Sequence, residues 1–202
     1  MKDALRNGNG AVGIILFLVA LGSLAGCAIH KPFELFDDTT VIKSRTIAVI
    51  SADGSETTMR LAEALTKELR ARGTFKVLSQ AKISLRLGKY PVTINEGQPE
   101  NPDKPVWFGK GEKAKVDAIQ AQLKAYYLFV VWTGRARNGI SASYLTSVNG
   151  NVVEYPKGRV IGYSFLSGIK SEGDDLNKTL KDSAAMIADG FIRAAKAETH
   201  DK

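Results

Sequence analysis

Cysteine and histidine, which ionise closest to neutral pH and often serve as nucleophile and general base, are rare in this 202-residue chain, which contains one cysteine and two histidines. The cysteine, Cys27, closes the sequence Leu24-Ala25-Gly26-Cys27, shortly after an apolar run over residues 11–21. That run is shorter than the about 20 residues needed to span a bilayer. A short polar start with two basic residues precedes it, and this combination is typical of a secretory signal peptide. The pattern therefore predicts a signal peptide over residues 1–26.

The four residues Leu24, Ala25, Gly26 and Cys27 match the lipobox of bacterial lipoproteins at every position, so residues 1–27 resemble a lipoprotein precursor. The resemblance implies that a signal peptidase recognises Leu24, Ala25 and Gly26, and that Cys27 receives a diacylglyceryl thioether before cleavage. Palmitate-type chains would hold the protein on a membrane, because each buried CH₂ contributes about 0.8 kcal/mol. Ala28 follows Cys27, whereas an aspartate there resembles an inner-membrane retention signal. The resemblance thus implies an outer-membrane anchor facing the periplasm; an uncleaved signal anchor is the alternative.

Catalytic machinery is sparse elsewhere in the sequence. His30 lies close to the lipobox and His200 lies in a polar tail, so neither is placed to act as a buried general base. No Cys/His cluster, spaced carboxylate set or phosphate-binding glycine motif is present. We therefore predict no catalytic residue, no metal site and no cofactor, and we expect a protein that is not an enzyme.

The charge of the chain is moderately positive. Residues 1–26 contain two basic residues and one acidic residue, so the remainder keeps 26 basic and 20 acidic residues, a net charge of +6. Because basic and acidic residues are interspersed, nucleic acid is not an expected partner. An anionic cell-wall polymer or lipid surface fits an envelope protein better, and an ordinary solvated basic face fits equally.

The mature chain divides into a lipidated tether over 27–45, one α/β domain over 46–197, and a polar tail over 198–202. Two alternatives are open for Phe33 and Phe36 of the tether, namely docking on the domain and docking on a partner. After it, residues 46–50 form an apolar, β-rich run, followed by leucines at helical spacing over 56–72. A second strand over 75–79 completes a predicted βαβ unit.

Residues 80–111 form a variable loop in this interpretation. Ile83, Leu85 and Leu87 alternate with polar residues and favour an edge strand, while several prolines farther on favour a loop. The large aromatics Trp107 and Phe108, with the nearby Lys110, indicate a partner surface, although aromatic anchoring of the loop is the alternative.

Helical spacing returns over 112–124, which begins near Lys113, and an apolar run over 126–133 predicts a central strand. A strand over 140–148 should end at Asn149-Gly150, because this pair favours a type I′ turn. Val152-Val153 starts the return strand, and Pro156-Lys157-Gly158 marks another turn. Residues 160–166 then predict another strand, and an apolar stripe over 174–197 predicts a long closing helix. The fold class is α/β (α+β): one mixed sheet of about five strands with flanking helices, in the order β-α-β-loop-α-β-β-β-α. The predicted partner surface combines the loop 88–111 with a hairpin tip over 149–158. Its named residues are Trp107, Phe108, Lys110, Lys113, Asn149 and Gly150.

This element order, with the lipobox, the helix over 61–69 and the strand over 125–132, is similar to the domain of a group of envelope proteins. The group comprises the curli-secretion lipoprotein, the penicillin-binding-protein activator lipoproteins and the amino-terminal domain of TolB. The resemblance implies a lipoprotein that binds or scaffolds envelope components in assembly, secretion or transport, with a protein partner. A subunit of an oligomeric outer-membrane secretion channel and an envelope enzyme are the alternatives.

Overall fold

The computed structural model describes residues 30–36, 39, 41–94, 112–138, 142–171 and 175–197. This part of the chain contains one six-stranded sheet with the strand order β1-β6-β5-β4-β2-β3. The strands are β1 (His30–Leu35), β2 (Thr46–Ser51), β3 (Lys76–Val77), β4 (Tyr127–Asn138), β5 (Ala142–Glu154) and β6 (Arg159–Ser171). The helices are α1 (Glu56–Ala71), α2 (Gln80–Leu87), α3 (Glu112–Leu123) and α4 (Asp175–Ala197).

The sheet is mixed, because β2 pairs in parallel with β3 and β4 while the other neighbours pair antiparallel. Helices α1 and α4 bury their apolar stripes on one face, and α2 and α3 cover the other. Strand β4 contributes Phe129 to the first core and Leu128 to the second, and both are fully buried. A strand covered on both faces is apolar at successive positions. The predicted mixed α/β class and central strand are therefore confirmed.

Helix α1 forms where the sequence predicts it. Ser55 caps its amino terminus, with its side-chain oxygen accepting a hydrogen bond from the backbone N–H of Thr58. Leu61, Leu65 and Leu69 lie on one face and are fully buried. The parallel pairing of β2 with the two-residue β3 completes the predicted βαβ order.

The predicted tether over 27–45 is wrong for residues 30–36, which belong to the domain. Strand β1 pairs antiparallel with β6 and places His30 opposite Leu166. Phe33 inserts into the first core, where its ring lies 5.1 Å from that of Phe191. Val41, farther along the same segment, is also buried. Burial of these apolar side chains is the physical reason that the segment packs instead of extending into solvent.

The predicted edge strand at 83–87 is a helix, α2. Ser79 caps it by accepting a hydrogen bond from the N–H of Lys82, and this cap favours helix over strand. Ile83 is fully buried, whereas Leu85 is 82% exposed. In a strand these two residues would share one face, so the alternating pattern was misleading.

The predicted turn at Asn149-Gly150 is also wrong, because β5 continues through both residues to Glu154. Asn149 pairs with Trp132 of β4 and Phe165 of β6, in the middle of the sheet. The chain turns at residues 155–158 instead. A long partner strand on each side stabilises the extended conformation here and overrides the local turn preference.

The last two predicted helices are confirmed. In α3 the buried residues include Val116, Ile119 and Leu123, and α4 contributes Phe191 to the centre of the first core. Within the described ranges, no helix combines the length and the apolar character that crossing a bilayer requires.

Candidate functional site

Most of the predicted site residues lie outside the described residues. This applies to the lipobox residues Leu24, Ala25, Gly26 and Cys27, and to Trp107, Phe108 and Lys110 of the predicted partner surface. Of the other three, Asn149 and Gly150 are buried in β5. They therefore form no hairpin tip and present no surface in this chain.

Lys113, by contrast, does lie beside a hairpin turn. It is exposed on α3 and forms an ion pair with Asp117, with 2.7 Å between Nζ and Oδ2. The β5–β6 turn approaches this pair so closely that a Cβ on Gly158 would lie 2.6 Å from the Lys113 Nζ. The structure therefore places Lys113 beside the β5–β6 turn, and its role in binding a partner stays a prediction.

This turn belongs to one edge of the sheet, which we call the basal edge. Strands β2 and β4 begin there, at Thr46 and Tyr127, and β5 ends there at Glu154. Three backbone hydrogen bonds connect the chain segments along the edge. The N–H of Tyr126 donates to the Thr46 carbonyl (2.8 Å), that of Tyr155 to the Tyr126 carbonyl (2.9 Å), and that of Lys76 to the Arg45 carbonyl (3.2 Å). The basal edge is consequently a well-connected platform.

A cavity of about 400 Å³ lies at the basal edge, within the range of about 300–1,000 Å³ typical of small-molecule sites. We call it the basal pocket. Its lining residues come from the start of β2, from β3, from the end of α3 and from the β5–β6 turn. They are Ser44, Arg45, Thr46, Lys76, Gln120, Ala121, Lys124, Ala125, Tyr126 and Tyr155.

Three cationic side chains line this pocket, those of Arg45, Lys76 and Lys124. All three residues are exposed, and none forms an ion pair with a residue of the described ranges. The Arg45 guanidinium lies over the Tyr126 ring, 4.8 Å from its centroid, and this contact leaves its N–H groups able to bind an anion. The pocket therefore concentrates three positive charges, with the carboxylate of Glu154 beside it, which accepts from the Tyr126 hydroxyl and is paired with Arg159.

Gln120 adds a polar group to the lining. It is fully buried, and its Nε2 donates to the carbonyl oxygens of Val153 at 2.9 Å and Tyr126 at 3.4 Å. Because both partners are acceptors, the orientation of the amide is fixed. Its Oε1 has no hydrogen-bond partner among the described residues, and an unsatisfied buried polar atom costs about 1–3 kcal/mol.

The pocket also contains unusual backbone. Ser44 (φ 71°) and Lys124 (φ 51°) have positive φ, and they are the non-glycine residues of the described ranges in this conformation. Such residues cluster at functional sites, where the surrounding structure holds them in place. The strained positions thus coincide with the cationic cavity.

Tyr127 lies directly behind this lining. Its hydroxyl accepts a hydrogen bond from the N–H of Ile42 at 2.8 Å. Burial raises the pKa of Tyr127 to about 12, partly offset by the bond from Ile42. The phenol therefore stays neutral at physiological pH and adds no negative charge beside the cations.

The sequence analysis did not identify the basal pocket, because its cations lie far apart along the chain. Arg45, Lys76 and Lys124 come together only through the parallel pairing of β2 with β3 and the position of α3. The lining residue that could have drawn attention to the pocket is Lys124. It occupies the positive-φ position at which α3 ends, and glycine is the usual residue at such a position.

Other groups of polar residues form internal networks. At the opposite end of β2, Asp53 accepts hydrogen bonds from Ser55 and Thr58 and so helps to fix the start of α1. In the part of the chain that the structure covers, no group of three or more His, Cys, Asp or Glu is placed to hold a metal ion.

No protein-family model matches the chain, and no curated protein matches it. Among solved structures, a PelC dodecamer from Paraburkholderia phytofirmans is 9% identical with a TM-score of 0.46, covering 80% of this chain and 96% of that chain. A PelC variant from the same organism has the same TM-score at 10% identity, over 80% and 97% of the two chains. Lipoprotein GNA1162 from Neisseria meningitidis is 11% identical with a TM-score of 0.35, over 72% and 99%. Likeness at this level assigns neither a family nor a function.

Proposed function

We propose that this chain is a lipoprotein of the outer membrane, anchored through Cys27, whose periplasm-facing domain binds other envelope components. The observation that carries the proposal is the four-residue lipobox match, Leu24 to Cys27, at the end of a signal-like apolar run. A binding role accords with a surface cavity lined by unpaired cations and aromatic rings.

The position of β1 supports a defined orientation on the membrane. His30 lies three positions after Cys27, and three residues reach at most about 11 Å. Successive pairings across the sheet place His30 at the level of Thr133 in β4. His30 pairs with Leu166, Leu166 pairs with Val148, and Val148 pairs with Thr133. Thr133 lies six positions beyond Tyr127, which is about 20 Å along the strand. A lipid on Cys27 would therefore hold the opposite end of the sheet near the membrane and the basal edge away from it.

Labelling with radioactive palmitate in a Gram-negative host tests the anchor. We expect the wild-type chain to take up label and to lose residues 1–26, and we expect Cys27→Ser to take up none. Equal labelling of the two forms, or retention of residues 1–26 in the labelled product, would refute the lipid anchor.

Density-gradient separation of the two membranes tests the localisation. The wild-type chain should co-sediment with outer-membrane markers, and Ala28→Asp should shift it toward the inner membrane in an enterobacterial host. Wild-type protein in the inner-membrane fraction would contradict the outer-membrane assignment while leaving the anchor intact.

A photocrosslinking residue at Lys113, beside the β5–β6 turn, tests the binding role. We expect a discrete envelope component to be captured from intact cells. The same probe at Lys178, on α4, is the matched control. Identical products from both positions, or none from Lys113, would count against a partner surface at the basal edge.

A further inference from the structure

We propose that the basal pocket is a binding site for an acidic saccharide, meaning a sugar ring that carries a carboxylate or a phosphate group. The ligand class follows from the lining of the pocket. It deepens the binding role proposed above, but does not depend on the lipid anchor.

The requirement for an anion comes from the convergence of three cations on one cavity. Exposed lysines such as Lys31, Lys67 and Lys113 form ion pairs with nearby carboxylates, whereas others, such as Lys178, form none with the described residues but lie outside this cavity. Arg45 and Lys124 have no such partner among the described residues, although both line the same concave site. Three cations around one cavity repel each other, and an anionic ligand removes that repulsion.

The requirement for a hydroxylated ligand comes from Gln120. Its amide N–H groups are already used by two carbonyl oxygens, so what this side chain lacks is a donor for Oε1. An inorganic anion such as sulfate offers only acceptors, whereas a sugar supplies several hydroxyl donors as well. Gln120 lines the pocket, so a hydroxylated ligand matches this lining better than a bare anion does.

The preference for a ring comes from Tyr155, which lines the pocket from the β5–β6 turn with 41% of its surface exposed. Aromatic side chains pack against the apolar faces of rings. Tyr126 is already in contact with the Arg45 guanidinium and the Tyr127 ring, and its hydroxyl donates to Glu154, so it holds Arg45 in position. Tyr155 thus provides an aromatic wall for a pyranose, and the cations provide the charge complement.

The pocket is also pre-organised. Its walls are joined by the backbone hydrogen bonds of the basal edge, and the two positive-φ residues are held in place without a ligand. A rigid site loses little conformational entropy on binding. If the domain is anchored at Cys27, the opening lies roughly 20 Å beyond the level at which β1 begins, which favours a glycan in the periplasmic space over a head group of the anchoring membrane.

Isothermal titration calorimetry on the full chain in mild detergent tests the ligand class. The probes are a galacturonic acid dimer, glucose 6-phosphate, neutral maltose, glycerol phosphate and inorganic phosphate. We expect the dimer or the sugar phosphate to bind about tenfold or more tightly than maltose, and to weaken as salt is raised. Inorganic phosphate or glycerol phosphate binding as tightly as the sugar phosphate would overturn the saccharide assignment, because it would indicate an adventitious ion site or a lipid head group. Absence of binding by both acidic sugars would overturn the proposal entirely.

Substitutions locate the binding in the pocket. Arg45→Gln and Lys124→Asn should each weaken the acidic sugar about five- to tenfold, because each removes one charge-assisted contact. Asparagine tolerates the positive φ of residue 124, so this variant should fold, and circular dichroism checks that it does. Lys178→Gln removes the same charge from α4, which contributes nothing to the pocket, and should leave the affinity unchanged. Equal loss in all three variants would indicate a general charge effect and refute the site. Palmitate labelling of the same variants reports the anchor separately, so failure of one proposal is distinguishable from failure of the other.

Discussion

Removing the Phe33 side chain tests whether β1 is a structural part of the domain. The ring lies 5.1 Å from that of Phe191 in an edge-to-face arrangement and 6.1 Å from that of Phe129. Truncating a fully buried phenylalanine costs about 3–5 kcal/mol. Because Phe33 is half-buried, we expect Phe33→Ala to lower the free energy of unfolding by about 2–3 kcal/mol. A residue in a solvated tether would change it by less than about 0.5 kcal/mol.

Urea denaturation followed by far-UV circular dichroism measures this difference. The matched control is Phe36→Ala, since that ring stacks on Tyr163 at 5.7 Å on the sheet edge and lies outside both cores. We expect the control to cost about 1 kcal/mol or less. Equal effects of the two substitutions, or no effect of Phe33→Ala, would refute the packing argument.

A second substitution examines the same contact from β6. A Cβ on Gly162 would lie 2.6 Å from the Phe33 Cζ and equally close to the Glu34 carbonyl oxygen. Gly162→Ala should therefore displace β1 and destabilise the protein. Combined with Phe33→Ala it should cost less than the sum, by about 0.5 kcal/mol or more, because the two residues are in contact. Strict additivity would mean that the clash involves only the backbone.

Three further predictions concern the interior. Asn151 is fully buried, and neither of its amide atoms has a hydrogen-bond partner within the described ranges. Asn151→Val should therefore raise the thermal midpoint, corresponding to about 1–2 kcal/mol of added stability; a lower midpoint would reveal an ordered water or other partner. Tyr127→Phe should cost about 1 kcal/mol at neutral pH through the lost bond from Ile42. Because the folded-state pKa of Tyr127 is raised to about 12, the stabilisation that its neutral phenol contributes is present below pH 10 and is lost as the pH rises through 12. The free energy of unfolding should therefore fall less steeply with alkaline pH in Tyr127→Phe than in the wild type. Parallel pH curves for the two proteins would contradict the raised pKa of Tyr127. Finally, Ile83→Ala should cost about 2–4 kcal/mol and Leu85→Ala almost nothing, whereas equal costs in chemical denaturation would favour the strand that the alternating pattern suggested.

The elements that the sequence predicts correctly are those in which local pattern and tertiary packing agree. Helix α1 combines a serine cap with three leucines on one face, and β4 is apolar at successive positions because helices cover both of its faces. In α2, the spacing of Ile83 and Leu85 matches a strand, and only the packing shows that one is buried and the other exposed.

The turn prediction failed for a non-local reason. Asn149-Gly150 has strong turn preference, but β4 and β6 are long enough to pair with β5 on both sides of it. Gly150 also tolerates the close approach of Val131, whose Cγ1 would lie 3.2 Å from an added Cβ. The turn preference of this pair is local, whereas the pairing that overrides it involves residues of β4 and β6.

The candidate site was the least predictable part for a related reason. A cavity depends on which chain segments become adjacent, and Arg45 and Lys124 are 79 positions apart in the sequence. Lys113 is exposed on α3 beside the β5–β6 turn, and its place in a partner surface stays a prediction.

The pairing of the first strand with the last has a consequence for how the chain folds. Lys31 contacts Tyr163, 132 residues away, so β1 cannot dock until almost the entire chain is available. Until then β6 presents an open edge, and such edges pair readily with other chains. Closing so long a loop slows folding. In a polypeptide that crosses a membrane with its amino terminus first, β1 emerges long before β6 and stays unpaired until β6 has folded. During that interval, a chaperone that shields the open edge of the sheet would protect the chain from pairing with other chains.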